Sequence, residues 1–305
     1  MNIYELLNTT SKEVSSIILE LDQHYLSYPI AKRNRKTMRW IDAPQGKLKE
    51  LQETFLHRYL YRFSAHPSCV GFVKGKSVRT GAERHIGTEQ LLNMDLKNFF
   101  STIKIYKVAK LLTFLTSRHS TITGKQVTFV NTDDKEKLAR LLTYKNTLPQ
   151  GAPSSPAIAN LCAYQMDVQL TALAKNNGCI YTRYADDLTF STKKTKDKFN
   201  IIGMIPQIRE TIEKNMFSVN YKKTRVQKQN NRMTVTGVVV NKKLSTPKWY
   251  WRNFRAKLHN LEKSGVPITE EEYQEIRGTA EWIKSLHPVR GEKFLETLGK
   301  LNLTI

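Results

Sequence analysis

Two adjacent carboxylates between two short apolar segments constrain the fold of this chain more than any other feature. Residues 180–183 and 188–192 are strand-like and flank Ala185-Asp186-Asp187, a pattern that predicts a β-hairpin with the aspartates in its turn. A third carboxylate, Asp95, ends the apolar segment 91–94, which predicts a buried strand. A lone carboxylate at such a position is commonly a cap or a turn former, but adjacent aspartates repel each other unless a cation neutralises them.

These three side chains predict a metal site. Oxygen ligands select a hard ion, Mg²⁺ or Mn²⁺, with phosphate oxygens and water completing the coordination. Two such ions about 3.5–4 Å apart would activate an attacking hydroxyl and stabilise a pyrophosphate leaving group. The pattern therefore indicates a two-ion site for chemistry on a phosphate ester.

The charge of the chain predicts a polyanionic partner. Its 305 residues include 49 Lys and Arg against 27 Asp and Glu, a formal net charge of +22. Residues 30–49 hold seven basic side chains and one acidic one, and residues 193–232 hold eleven and three. These segments flank the less basic region around Asp95 and Asp186, as a channel that binds phosphates around metal ions would. Any single cluster is equally well explained as a solvated surface, but the whole surplus points to nucleic acid.

Several other classes are excluded. No run approaches the roughly 18 apolar residues that a membrane helix needs, and the N-terminus lacks the basic and apolar regions of a secretion signal. Cys69, Cys162 and Cys179 are scattered without a Cys-x-x-Cys pair, which argues against disulfides and zinc. We therefore expect a protein of the reducing cytoplasm without membrane contact.

Hydrophobic periodicity predicts an α+β fold in which a small sheet is covered by helices. Residues 233–240 are β-rich. The predicted helices are at 48–63, 104–116, 134–144, 156–175, 201–215, 249–262 and 270–300.

Three segments, in this order, resemble the palm motifs of reverse transcriptases. They are residues 94–100 around Asp95, residues 148–156, and Tyr184-Ala185-Asp186-Asp187. The last two, together with Val235-Thr236-Gly237, are similar in particular to bacterial retron reverse transcriptases.

One element departs from the retron pattern. Retron enzymes usually carry Asn-Ala-x-x-His before the first catalytic aspartate, whereas this chain has Gly81-Ala82-Glu83-Arg84-His85. The first position of the motif therefore lacks its usual side chain.

The resemblance spans about residues 30–300 and implies a right-hand polymerase. The expected parts are an N-terminal region and fingers (1–90), a palm with a small antiparallel sheet (91–110 and 148–243), a helical part of the fingers (111–147) and a helical, RNA-binding thumb (244–305).

The same resemblance implies RNA-directed DNA synthesis from dNTPs. In the retron form, the enzyme binds a cognate structured noncoding RNA and starts DNA from the 2′-hydroxyl of an internal guanosine, which gives a branched RNA–DNA hybrid, msDNA. It also implies antiphage defence beside a separate toxic effector protein, and a host RNase H, since the length leaves no room for a nuclease domain. Two alternatives stay open: another bacterial reverse transcriptase, intron-type or defence-associated, and an RNA–effector scaffold in which polymerisation is secondary.

Residue roles follow from the matched motifs. The resemblance implies that Asp95, Asp186 and Asp187 hold the metals, with the main-chain carbonyl of Leu96 as a fourth ligand. It implies that Lys223 is a candidate acid that protonates the pyrophosphate.

The motifs also imply a nucleotide pocket. Phe100 would exclude a 2′-hydroxyl and so select deoxyribonucleotides, while Gln150 and Gly151 would lie along the incoming nucleotide. Arg39 would bind the triphosphate with its fork of donors, helped by a point charge from Lys32 or Lys36.

Residues 248–257 interleave aromatic and cationic side chains. This mixture suits stacking on bases and binding of the backbone, and it equally suits a helix that buries its aromatics and exposes its cations. The predicted RNA-binding residues are Trp249, Trp251, Arg252, Arg255 and Lys257.

Overall fold

A computed structural model describes residues 2–32, 37–118, 121–122, 125–126, 132–193 and 200–301. The helices are α1 (Ile3–Leu7), α2 (Ser11–Leu19), α3 (Gly46–Arg58), α4 (Val78–Glu83), α5 (Phe99–Thr102), α6 (Ile105–Arg118), α7 (Thr132–Leu141), α8 (Ser155–Cys162), α9 (Tyr164–Asn176), α10 (Ile205–Lys214), α11 (Lys248–Ser264), α12 (Glu270–Leu286) and α13 (Pro288–Leu298). The strands are β1 (Tyr25–Ala31), β2 (Met38–Pro44), β3 (Gln90–Asp95), β4 (Thr121–Ile122), β5 (Lys125–Gln126), β6 (Ile180–Tyr184), β7 (Asp187–Thr192), β8 (Arg225–Lys228), β9 (Thr234–Val235) and β10 (Val238–Val239). Within these ranges, no helix combines the length and apolarity needed to cross a bilayer.

An antiparallel sheet with the strand order β6-β7-β3-β8 forms the centre of the molecule. Its register places Asp95 at the end of β3 directly opposite Asp187 at the start of β7. Because side chains alternate along a strand, Leu92 and Met94 point to the opposite face from Asp95. That apolar face is buried under helices and fixes the register, since a slip by one residue would turn the aspartate into the core.

Three apolar clusters support this sheet and the C-terminal helices. The largest lies between the apolar face of the sheet and the helices α1 to α3 and α5 to α10, and the second packs Leu91 and α4 against the β9–β10 hairpin. The third joins α11, α12 and α13 through side chains such as Phe254, Ile276 and Phe294. The C-terminal helices therefore have their own core, as a thumb would.

The α+β class is confirmed, with three corrections to the predicted elements. The predicted helix 48–63 ends at Arg58 and continues as a 3-10 turn, and the predicted helix 156–175 is two helices that meet at Ala163. The predicted helix 270–300 is interrupted at His287, because Pro288 has no N–H to continue the hydrogen-bond ladder and begins α13 instead. The β1–β2 hairpin, which carries Arg39, was not predicted.

Candidate active site

Asp95, Asp186 and Asp187 meet at one end of the sheet, as the sequence predicted. The β6–β7 turn is tight, with Ala185 in the left-handed region at φ 54°, and Asp187 is already the first residue of β7. The Leu96 N–H donates a hydrogen bond of 2.9 Å to the Asp186 carbonyl, which ties the turn to the end of β3. Asp95 is almost fully buried, whereas Asp187 reaches the surface of the cleft.

Lys223 and Asn220 hold the carboxylate of Asp95 from the side of β8. The Lys223 Nζ donates to Asp95 Oδ2 over 2.6 Å, and Asn220 Nδ2 donates to Oδ1 over 3.0 Å. The Asn220 N–H also donates to the Asp95 carbonyl at 2.7 Å. Lys223 therefore lies within the site where the motif placed it, and Asn220 is a site residue that the sequence analysis missed.

The three carboxylates form a cluster of negative charge that the nearby cations offset only in part. Burial raises the pKa of Asp186, and the neighbouring Asp95 raises it further, although Lys223 and Arg39 act in the opposite direction. Partial desolvation, together with the charges of Asp186 and Asp95, raises the pKa of Asp187 to about 6. Burial acts to lower the pKa of Lys223, but its bond to Asp95 and the charges of the aspartates outweigh this and raise it. The lysine therefore stays protonated beside anions that a further cation would stabilise.

The donor set fits a divalent metal ion, although the described residues contain no group of three or more His, Cys, Asp or Glu side chains already arranged as a metal site. The oxygens are hard donors, and the repulsion that raises the pKa of Asp186 and Asp187 is the repulsion that a bound cation would relieve. In the structure, Lys223 neutralises part of this charge at Asp95.

A buried ion pair holds the β6–β7 turn from behind. Arg183 donates to both carboxylate oxygens of Asp167 on α9, at 2.8 and 2.7 Å, and also to the Ala185 carbonyl at 3.0 Å. Tyr181 and Asn160 complete the network, and both charged side chains are fully buried. Sequence analysis missed these residues, although a charged side chain inside the apolar strand before the aspartates was a visible signal.

The Gly71-Phe72 loop packs against the same turn. A Cβ at Gly71 would come within 2.6 Å of the Ala185 nitrogen, so only glycine permits this approach. Phe72 is half-exposed at φ 58°, and its ring lies 6.3 Å from that of Phe100 and 6.1 Å from that of Tyr184. The structure thus adds an aromatic side chain to the mouth of the site.

The β1–β2 hairpin closes the other side of the cleft. The Asp42 N–H donates to the Gln150 carbonyl at 2.7 Å, and a Cβ at Gly151, whose φ is 127°, would lie 2.7 Å from Ile41 Cγ2. Arg39 on β2 is exposed, and its charge acts on Asp186. Arg39, Gln150 and Gly151 are therefore brought to the site.

The structure describes Phe100 and Lys32, two of the residues predicted to contact the nucleotide, but not Lys36. Phe100 is half-buried at the cleft, while Phe99 is buried in the core. Lys32 follows β1 and donates its N–H to the Thr37 carbonyl, whereas Lys36 lies outside the described residues.

The motif that departs from the retron pattern has a structural explanation. His85 is fully buried and bonds Ser191 and Thr182 on adjacent strands at 2.6 and 2.7 Å, which is a structural role. A Cβ at Gly81 would lie 2.9 Å from Val70 Cγ2, so the packing here leaves little room for the usual Asn side chain.

The predicted RNA-binding residues all lie on α11, which is one of the three C-terminal helices. They are distant in sequence from the three aspartates. Trp249 is half-exposed, and Arg252, Arg255 and Lys257 are exposed. Lys257 is paired with Glu275 at 3.5 Å. The Trp251 ring is partly buried against the thumb core.

The antiparallel sheet, its three aspartates and the surrounding cleft define a polymerase of the right-hand class. The family model described as reverse transcriptase (RNA-dependent DNA polymerase) matches residues 30–240. The chain belongs to the reverse transcriptase family, and the enzyme class predicted from the motifs is confirmed at this level.

Relatives and solved structures agree with this assignment. The chain is 34% identical to the retron Mx162 reverse transcriptase of Myxococcus xanthus, over 92% of this chain and 61% of that protein. It is 30% identical to the retron Ec86 reverse transcriptase of Escherichia coli, over 98% of this chain and 89% of that protein, so the predicted retron kinship is confirmed. Telomerase structures from Candida albicans and Candida tropicalis match 93% and 95% of the chain with a TM-score of 0.51, at 12% and 13% identity, and support the right-hand fold alone.

Proposed function

We propose that this chain is the RNA-directed DNA polymerase of a retron and reverse transcribes a cognate structured noncoding RNA. Synthesis starts from the 2′-hydroxyl of an internal guanosine and consumes dNTPs, which gives a branched RNA–DNA hybrid, msDNA. The convergence of Asp95, Asp186 and Asp187 beside the protonated Lys223 carries the proposal. The kinship with retron reverse transcriptases supports the choice of template and primer.

The reaction needs an oxygen nucleophile, a triphosphate and a stabilised leaving group. The primer hydroxyl oxygen forms a bond to the α-phosphorus while the bond from that phosphorus to the bridging oxygen breaks. The hydroxyl proton passes to solvent and pyrophosphate leaves. Lys223, protonated beside Asp95, donates a hydrogen bond or a proton to the pyrophosphate.

Asp95, Asp186, Asp187 and the Leu96 carbonyl would hold two Mg²⁺ ions, or Mn²⁺, which supply Lewis acidity to the hydroxyl and the phosphates. The chain itself fixes the carboxylates in advance: Asn220 and Lys223 orient Asp95, and the Arg183–Asp167 pair orients the turn. Such supporting contacts commonly change metal affinity or activity 10–100-fold, as an order of magnitude.

The nucleotide pocket is built between the β1–β2 hairpin and the palm. Arg39, with Lys32 or Lys36, binds the triphosphate, and Gln150 and Gly151 lie along the nucleotide. The ring of Phe100 meets the sugar and excludes a 2′-hydroxyl. The exposed guanidinium of Arg39, whose field reaches Asp186, supports this placement.

The division into fingers (1–90 and 111–147), palm (91–110 and 148–243) and thumb (244–305) is part of the proposal. Separate apolar clusters under the palm sheet and between α11, α12 and α13 support it. The thumb would contact RNA through Trp249 and the exposed cations of α11.

The proposed setting is cytoplasmic antiphage defence. The RNA–DNA hybrid and the polymerase restrain a separate toxic effector protein, and a host RNase H removes copied template RNA. The kinship with retron enzymes supports this setting.

One purification tests the proposal. The protein is expressed with its native upstream DNA, and the bound nucleic acid is run on a denaturing gel with and without RNase and DNase, then sequenced. We expect a discrete single-stranded DNA that shifts on RNase treatment and is lost in Asp186→Ala. Asp133→Ala, a change of an exposed aspartate on α7, is the matched control and should retain the product.

The same preparation separates the alternatives. DNA without an RNA branch would indicate another bacterial reverse transcriptase that primes elsewhere. An RNA-bound Asp186→Ala protein that lacks DNA and still protects cells from phage would identify a scaffold and overturn the polymerase as the functional activity.

A further inference from the structure

Three arginine side chains gather around one tryptophan in the C-terminal helical unit. The guanidinium carbon of Arg290 lies 4.2 Å from the centroid of the Trp251 ring, and those of Arg252 and Arg255 lie at 5.7 and 5.9 Å. Arg252 and Arg255 are neighbours of Trp251 on α11, but Arg290 belongs to the first turn of α13. The fold, and not the local sequence, therefore assembles this cluster.

The charges of the cluster are not balanced by acidic side chains. Among the described residues, no carboxylate lies within ion-pair distance of Arg252, Arg255 or Arg290, while nearby lysines are paired: Lys257 with Glu275 and Lys284 with Glu292. Burial lowers the pKa of Arg290, which means that the surroundings disfavour its charge. Three guanidinium groups on one ring repel each other, and the ring face offsets this repulsion only in part.

An anion with several oxygens would complete the arrangement. Guanidinium groups are planar forks of donors that match phosphate bidentately, and they need support to stay oriented. The ring of Trp251 provides that support, since Arg290 stacks over it and the ring is partly buried by the thumb core. A ring covered in this way is a poor platform for a base, so the role implied for Trp251 by the α11 motif needs revision.

We propose that Arg252, Arg255 and Arg290 form a phosphodiester-binding site that Trp251 supports. The inference rests on the proposed function, because it names how the same thumb binds nucleic acid: by the backbone at this cluster, with half-exposed Trp249 as the ring available to bases. The net charge of +22 favours nucleic acid over an acidic protein as the source of the anion. The phosphates come either from an RNA stem bound outside the cleft or from the template–primer duplex held for synthesis.

The test compares salt-dependent binding of the full chain and of single variants. The probes are a labelled RNA hairpin of about 20 base pairs and an RNA–DNA template–primer, measured by fluorescence anisotropy at several salt concentrations. Each lost phosphate contact on a duplex should reduce the slope of log K against log salt by about 0.9, which near 0.15 M salt is an affinity loss of about fivefold. We expect this loss for Arg290→Gln and for Arg255→Gln.

Two further variants make the test specific. Arg277→Gln removes an equal charge from an exposed position on α12 and should change affinity less than about twofold. Arg290→Lys keeps the charge but not the fork, so the slope should be preserved while affinity falls. Arg255 lies on the exposed side of α11. The affinity of Arg255→Gln therefore tests the cluster even where Arg290→Gln alters the packing of Trp251.

The outcomes distinguish the source of the phosphate. A loss on the hairpin alone assigns the site to an RNA stem, a loss on the template–primer alone assigns it to the duplex under synthesis, and a loss on both supports a general backbone site. Unchanged binding of both probes by Arg290→Gln and Arg255→Gln would overturn the proposal, as would an equal loss in Arg277→Gln. Extension of oligo(dT) on poly(rA) by the unaltered protein is measured in parallel, because its failure would count against the polymerase and not against the cluster.

Discussion

The buried His85 makes a quantitative prediction about acid stability. Its two ring nitrogens bond Ser191 and Thr182, and a neutral imidazole satisfies both hydroxyls because it has one donor and one acceptor. Burial lowers the pKa of His85 to about 3, and the neighbouring Arg84 acts in the same direction. In the unfolded chain the pKa returns to an ordinary value of about 6.5.

The sign follows from the proton balance. Below pH 6.5 the unfolded chain binds a proton at His85, whereas the folded protein does not. The free energy of unfolding therefore decreases as the pH falls from 6.5 toward 3. From these two pKa values the loss is about 0.8 kcal/mol at pH 6 and about 2 kcal/mol at pH 5. The value at pH 5 depends almost entirely on the unfolded chain, because the folded protein is still unprotonated there.

The assay is urea unfolding of the unaltered protein and of His85→Gln at pH 7.5 and pH 5. The variant loses the fitted hydrogen bonds and should be less stable at pH 7.5 by about 1–3 kcal/mol. Glutamine does not titrate, so the gap between the two proteins should shrink by about 2 kcal/mol at pH 5. His259→Gln, at an exposed position on α11, is the control for a histidine in water. A gap that changes by less than about 0.5 kcal/mol between the two pH values would refute the reasoning.

Three further predictions follow from other sites. Asn220→Ala removes the donor to Asp95 Oδ1 and should weaken both Mn²⁺ binding, measured by electron paramagnetic resonance, and DNA synthesis by roughly 10–100-fold; equal binding by both proteins would exclude a positioning role. Phe100→Ala should lower the preference for dNTPs over NTPs at least about tenfold in single-nucleotide kinetics, and an unchanged ratio would assign Phe100 to packing alone. Gly291→Ala places a Cβ 2.2 Å from the α12 backbone and should destabilise the C-terminal helices by about 1–3 kcal/mol in urea unfolding, whereas Gly278→Ala, with open space around it, should not.

The meeting of Asp95, Asp186 and Asp187 was predictable because their positions depend on local patterns. A hairpin brings its own turn residues together, and an apolar strand that ends in Asp95 has few places to pair. The apolar face of each strand can be identified from residues 91–94 and 188–192, and the register of β3 against β7 follows from it. The resemblance to reverse transcriptases added Lys223, which precedes β8, to the predicted site.

The contacts that orient these carboxylates were not predictable in the same way. Asn220 lies 125 residues beyond Asp95, and Arg290 meets Trp251 through a helix that the sequence pattern merged with its neighbour. The β1–β2 hairpin was missed because most of its residues are exposed and its apolar side chains follow no regular alternation, so its hydrophobic pattern does not mark a core. Long-range polar contacts leave no periodic signal in a sequence.

The buried Arg183–Asp167 pair explains why β6, the strand before the β6–β7 turn, carries a charge. A fully buried ion pair contributes little net stability, because desolvation of both charges offsets their attraction, whereas removal of one partner is costly. Its retention is better explained by geometry: Arg183 bonds the Ala185 carbonyl and thereby fixes a turn whose alanine adopts a left-handed conformation. Behind the turn the charges of Arg183 and Asp167 are paired, and in front of it Asp186 and Asp187 repel each other with raised pKa values. The Arg183–Asp167 pair therefore holds the turn rigid, so that Asp186 and Asp187 stay close together although the nearby cations offset their repulsion only in part.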